Sequence, residues 1–93
     1  MSQLSLEEMA RKAVALYNRH KFPEATAKLV NVSPYILTLS FTGSFCYSCS
    51  VMDYIEDFIG DFKILTDKVE LKVAKTRQIS PRSFEADYKV RVR

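Results

Sequence analysis

Tryptophan is absent from this 93-residue chain, histidine occurs once, and there are only two glycines, two cysteines and three prolines. Each scarcity removes a class of function. Two glycines leave no room for a glycine-rich phosphate loop, a collagen repeat or a low-complexity linker. The single histidine, His20, stands in no arguable Ser, His and Asp arrangement, and no paired-carboxylate geometry emerges either, so hydrolase chemistry has no support. No stretch approaches the roughly 18 continuous apolar residues of a membrane span. Met1 to Glu8 lacks the basic start and apolar run of a signal peptide. A cytoplasmic protein without membrane contact is therefore expected.

What is present suffices for a core. Six Phe, five Tyr and an apolar fraction of 47% can fill one small domain over residues 1–93. The net charge of +3 is unevenly spread. Acidic side chains gather between Asp53 and Asp67, whereas Lys75, Arg77, Arg82, Lys89, Arg91 and Arg93 crowd the C-terminal end, which predicts an electrically two-sided molecule.

The periodicity predicts six elements. Ser5-Leu6-Glu7-Glu8 is a capping-box pattern with Leu4 placed to staple onto Met9, and Leu6, Met9, Ala10, Ala13, Leu16 and Tyr17 follow at helical spacing. Pro23 ends that helix near His20. Glu24 to Val32 reads as a strand, a turn follows at Asn31 to Pro34, and Tyr35, Leu37, Leu39 and Phe41 share one face of the next strand. A second helix begins at about Ser48 or Ser50, with Val51, Ile55, Phe58, Ile59 and Phe62 as its apolar stripe. Val69, Leu71 and Val73, then Phe84, Ala86, Tyr88, Val90 and Val92, alternate on either side of a polar turn at Ser80-Pro81. The order αββαββ predicts an α+β two-layer sandwich: a mainly antiparallel four-stranded sheet with two helices on one face and water on the other.

The chemistry is concentrated in Cys46-Tyr47-Ser48-Cys49, between the second strand and the second helix. Two thiols at this spacing suit a metal, an iron–sulfur cluster or a disulfide, and a helix N-terminus favours thiolates. In a reducing compartment a permanent structural bridge is the less favoured use, although two small apolar side chains filling a tight junction is the bland alternative. On a helical wheel Cys49 projects beside Asp53, Glu56 and Gly60, away from the apolar stripe. Those carboxylates oppose stabilisation of a redox thiolate and suit a cation better. Zinc or an Fe-S unit held by Cys46 and Cys49 is thus the leading reading, and thiol-disulfide redox chemistry the second. Two cysteines are half of a tetrahedral site. Asp53 and His20 are the accessory ligand candidates, and a site shared between two chains predicts a metal-linked homodimer. A cluster-accepting protein is the other implied partner.

Glu24 through Phe62, with two strands, a strand end at Gly43, the C-x-x-C and then a helix, resembles the C-terminal domain of NifU-type iron-sulfur scaffold proteins. The resemblance covers about half the chain. It implies that Cys46 and Cys49 assemble or carry a cluster between subunits. The chain differs from that pattern in placing Ser44 and Phe45 between Gly43 and the first cysteine, in having Pro23-Glu24-Ala25 before the first strand, and in adding a C-terminal hairpin.

A third reading, from another class, is an interaction module with structural cysteines. Its candidates are Arg77 and Arg82 at the tip of the last hairpin, with Lys72, Lys89, Arg91 and Arg93 on the wet sheet face. Glu70, Glu85 and Asp87 interrupt that face, and Phe84 and Tyr88 take the core register, so no aromatic platform for bases is expected. Nucleic acid is the less favoured partner.

Overall fold

The computed structural model describes residues 6–22, 25–43 and 51–92, without the side chain of Val51. Helix α1 spans Leu6–Lys21, strands β1 and β2 span Ala25–Val32 and Ile36–Gly43, helix α2 spans Val51–Leu65, and strands β3 and β4 span Val69–Ser80 and Ser83–Val92. All strand pairs are antiparallel, in the order β1-β2-β4-β3. The two hairpins therefore meet through β2 and β4, and β1 and β3 form the edges. None of the helices among the described residues is long and apolar enough to cross a membrane.

Both hairpins turn on the same pair of residues. In Ser33-Pro34-Tyr35-Ile36 and in Ser80-Pro81-Arg82-Ser83, proline pre-sets the backbone at the second turn position while serine supplies a local acceptor. Ser33 Oγ accepts from the Ile36 amide at 3.0 Å, and Ser80 Oγ lies 2.7 Å from Ser83 Oγ.

The core lies between the helices and one face of the sheet. Ala10, Ala13 and Tyr17 of α1, Ile55, Phe58 and Phe62 of α2, and Ala27, Leu37, Leu39, Phe41, Leu71, Ala86, Tyr88 and Val90 of the strands are buried in one cluster. Small residues on β1 let α1 approach closely. At the centre Phe58 stacks at a tilt on Tyr88, with ring centroids 5.5 Å apart, and also meets Tyr17 and Phe62.

Four expectations are corrected. Tyr35 continues the alternation of β2 in sequence, yet it stands in the turn and is 75% exposed. Arg77 is not at a hairpin tip: β3 runs on to Ser80, so Arg77 lies within the ladder opposite Glu85. Helical spacing assigns Asp61, with Asp53, Glu56 and Asp57, to the solvated side of α2, but α1 packs across it and leaves the residue only 8% exposed. The outer sheet face is not uniformly wet, since Thr38 on that face is buried. The capping box at Ser5 and the serines before α2 lie outside the described residues.

Candidate functional site

Cys46 and Cys49 also lie outside the described residues, but the two points between which they are strung are described. At one end, Gly43 closes β2 beside the β3–β4 turn, its amide donating to the Arg82 carbonyl at 3.0 Å. Its φ of 152° is one that L side chains rarely adopt, so glycine is required where the chain leaves the sheet. At the other end α2 begins at Val51, with Asp53 in its first turn, where a carboxylate complements the helix dipole.

The first half of α2 is fixed from two sides. The Tyr17 hydroxyl of α1 donates to the Tyr54 carbonyl at 3.0 Å, and the Tyr88 hydroxyl of β4 donates to the Ile55 carbonyl at 2.6 Å. Burial raises the pKa of both phenols well above the usual range for tyrosine, with the Asp57 carboxylate adding to the effect at Tyr17. On the solvent side Lys21 Nζ reaches Asp57 Oδ2 at 2.6 Å and lies 5.4 Å from the Tyr54 ring centroid. The hydrogen bond to Asp57 raises the lysine's pKa. The cysteine segment thus enters a helix whose first turns are held by α1 and β4.

The accessory candidates are not brought together. Asp53 is exposed near the start of α2. His20 instead places Nδ1 3.5 Å from Oδ1 of Asp61. Asp61 is ten residues along α2 from Val51, about 15 Å at 1.5 Å per residue, so His20 sits far down the helix from the cysteine end. Among the described residues no group of three or more His, Cys, Asp or Glu is positioned to hold a metal. Two thiols are therefore the donor set to be weighed. The helix face on which the wheel sets Cys49 is open: Asp53, Glu56 and Gly60 are exposed, and a Cβ at Gly60 would meet nothing within 4 Å.

The candidate basic surface is divided. Arg77 is engaged on both sides, donating to Glu85 Oε1 at 2.7 Å and to Asp87 Oδ2 at 3.2 Å. Asp87 also accepts from the buried Thr38 hydroxyl at 2.8 Å. The Arg77 hydrogen bonds hold the Asp87 carboxyl below its ordinary pKa, and Thr38 adds to the effect. Arg82 lies in the turn, and Lys89 and Arg91 stand exposed beyond the network. The face carries a knitted carboxylate–guanidinium cluster at its centre, and the β4 aromatics Phe84 and Tyr88 lie on the opposite, core side of the sheet.

Comparison with protein-family models, with curated proteins and with solved structures found no match for this chain.

Sequence reasoning had no account of the tyrosine hydroxyls or of Lys21. A signal for the former existed, since a tyrosine in a core register needs a partner for its hydroxyl. Which carbonyl supplies it depends on how the helices cross the sheet.

Proposed function

We propose that this protein holds a metal ion or an iron-sulfur unit as cargo on Cys46 and Cys49 and hands it on, with no turnover of its own. The observation that carries the reading is the position of the C-x-x-C. In sequence both cysteines fall within residues 44–50, which follow a sheet end fixed at Gly43 and precede a helix start held by Tyr17 and Tyr88. A helix N-terminus favours thiolates, and the exposed Asp53 and Glu56 favour a cation over a bare thiolate pair. The resemblance to the cysteine-bearing domain of NifU-type scaffolds points the same way. Two thiolates fill half of a tetrahedral site, so the remaining ligands come from a second chain, which suits delivery better than storage.

The test is metal, iron and sulfide content of protein purified without oxygen, with a visible spectrum beside it. Zinc or a reconstituted cluster is expected to bind the native chain and to be lost in the Cys46→Ser, Cys49→Ser double variant, whose unfolding free energy stays near the parent value. A loss of about 2–5 kcal/mol in that variant assigns the thiols to core packing instead. Absence of binding together with a reversible disulfide, at a potential of roughly −270 to −120 mV, assigns them to redox exchange.

A further inference from the structure

We propose that β3 is a self-association edge: two copies pair antiparallel through Val69–Val73 about a two-fold axis at Leu71, joining two four-stranded sheets into one. The inference goes beyond the metal-carrying reading and does not depend on it.

The two sheet edges are treated differently. On β1, the side chain of Asn18 acts as a substitute strand, donating from Nδ2 to the Ala27 carbonyl at 3.1 Å and accepting from the Ala27 amide at 2.7 Å. That bond also fixes which way every peptide in the sheet faces. Along an antiparallel strand the N–H and C=O of one residue point to the same side, and the side alternates. Ala27 faces outward, so its partner Phe41 bonds across to Phe84. The same parity appears where the Gly43 amide reaches the Arg82 carbonyl and the Val90 amide reaches the Tyr35 carbonyl. Even-numbered residues of β4 therefore face β2, and its odd-numbered residues face β3. Glu70 and Lys72 bond to Arg91 and Lys89, and Val69, Leu71 and Val73 turn their peptide groups outward. No side chain among the described residues bonds those three as Asn18 bonds Ala27.

The charges on this edge are self-complementary. Lys72 stands directly opposite Lys89, and neither makes an ion pair with a described residue. Like charges so placed are unfavourable. A two-fold axis at Leu71 sets each Lys72 opposite Glu70 of the other copy, so that Glu70 lies between Arg91 of its own chain and a lysine of the second. On the helix-covered side the same register puts Leu71 against Leu71 and Val69 against Val73, apolar on apolar. It matches about six backbone hydrogen bonds between the edges. The register shifts of β3 lie between Val73 and Lys75 and between Gln78 and Ser80. These bulges bend the rest of the strand away and confine pairing to the flat stretch.

The cysteine segments start far apart in this arrangement. Each leaves the sheet at Gly43, beside Arg82, eleven residues along the hairpin from Leu71 and thus about 35 Å away at 3.3 Å per residue. The two copies do not share a metal through this pairing. Each cysteine pair meets its acceptor separately.

Sedimentation equilibrium over a concentration series, with chelator present, tests the proposal on the parent chain, on Lys72→Glu and on the Glu70→Lys, Lys72→Glu swap. Lys72→Glu gives the single chain an attractive pair with Lys89 while setting carboxylates face to face across the axis. It is expected to keep or raise the melting temperature and to weaken the dimer at least about tenfold. The swap is expected to restore association. In the parent, the Val69, Leu71 and Val73 amides are expected to exchange more slowly as concentration rises. A parent chain monomeric at about 1 mM, a Lys72→Glu dimer of undiminished strength, or a dimer in which those amides remain fast overturns it. So does a dimer that chelation or the double cysteine variant dissolves, which leaves association to the metal.

Discussion

The two faces of this sheet are both partly buried, by opposite means. Under the helices, Phe58, Tyr17, Tyr88, Phe41 and Phe62 exclude water with carbon, and two tyrosine hydroxyls spend their polarity on helix carbonyls. On the outer face no element among the described residues covers the strands, yet Thr38 is 6% exposed because the Arg77, Glu85 and Asp87 side chains close over it. Burial on one face comes mostly from apolar area, which acid does not touch; on the other it comes from carboxylate–guanidinium pairing, which acid removes. The difference predicts that the two faces fail under different conditions.

The most severe break is expected at the helix side. Phe58→Ala, at a fully buried position touching three other rings, is expected to lower the unfolding free energy by about 3–5 kcal/mol in urea titration. A loss no greater than that of an outer-face variant would remove the contrast.

Asp87→Asn comes next, at about 1.5 kcal/mol near neutral pH, since it weakens three charge-assisted hydrogen bonds on a half-open face. Its sign with pH is fixed by linkage. Asp87 is held below its ordinary value of 3.8 by Arg77, so its contribution is complete above that value and is lost as pH falls through the folded pKa. The gap between parent and variant is expected to close below about pH 4, measured by denaturation at stepped pH.

Tyr88→Phe is expected to cost least, about 1 kcal/mol, because the Ile55 carbonyl sits within α2 and keeps its helical amide. It sharpens the comparison at the other end of the scale. Tyr88 and Tyr17 hold their protons above the ordinary tyrosine value of 10.0, so the stability they confer is complete below that pH and declines as pH rises past it. The parent is expected to lose stability above about pH 10 faster than a Tyr17→Phe, Tyr88→Phe double variant, while the outer face governs the acid limb.

The helix-covered face was legible because its rule is local. Alternation in Leu37, Leu39 and Phe41 and in Ala86, Tyr88 and Val90, and three-four spacing in Ala10, Ala13 and Tyr17, name the core without knowledge of strand order. The outer face follows another rule. Whether Arg77 is a free cation or a clamp depends on β3 reaching Ser80 and on a bulge after Val73 that brings Arg77 opposite Glu85. Neither shows as a period in the sequence. Tyr35 fails for the converse reason, since its place in the alternation is right and a Ser-Pro turn takes the backbone out of the strand beneath it. His20 was paired with the cysteines by chemistry alone. Its distance from the start of α2 is set by how α1 crosses that helix, which no pattern along one chain encodes.

Asn18 has a consequence for growth as well as for folding. An edge whose donor and acceptor are already matched at Ala27, and which bulges at Val30 a few residues on, offers a poor template for another strand. A sheet with one shut side has a direction. Whatever adds at β3 uses up the remaining open side, so addition stops instead of propagating into a fibre.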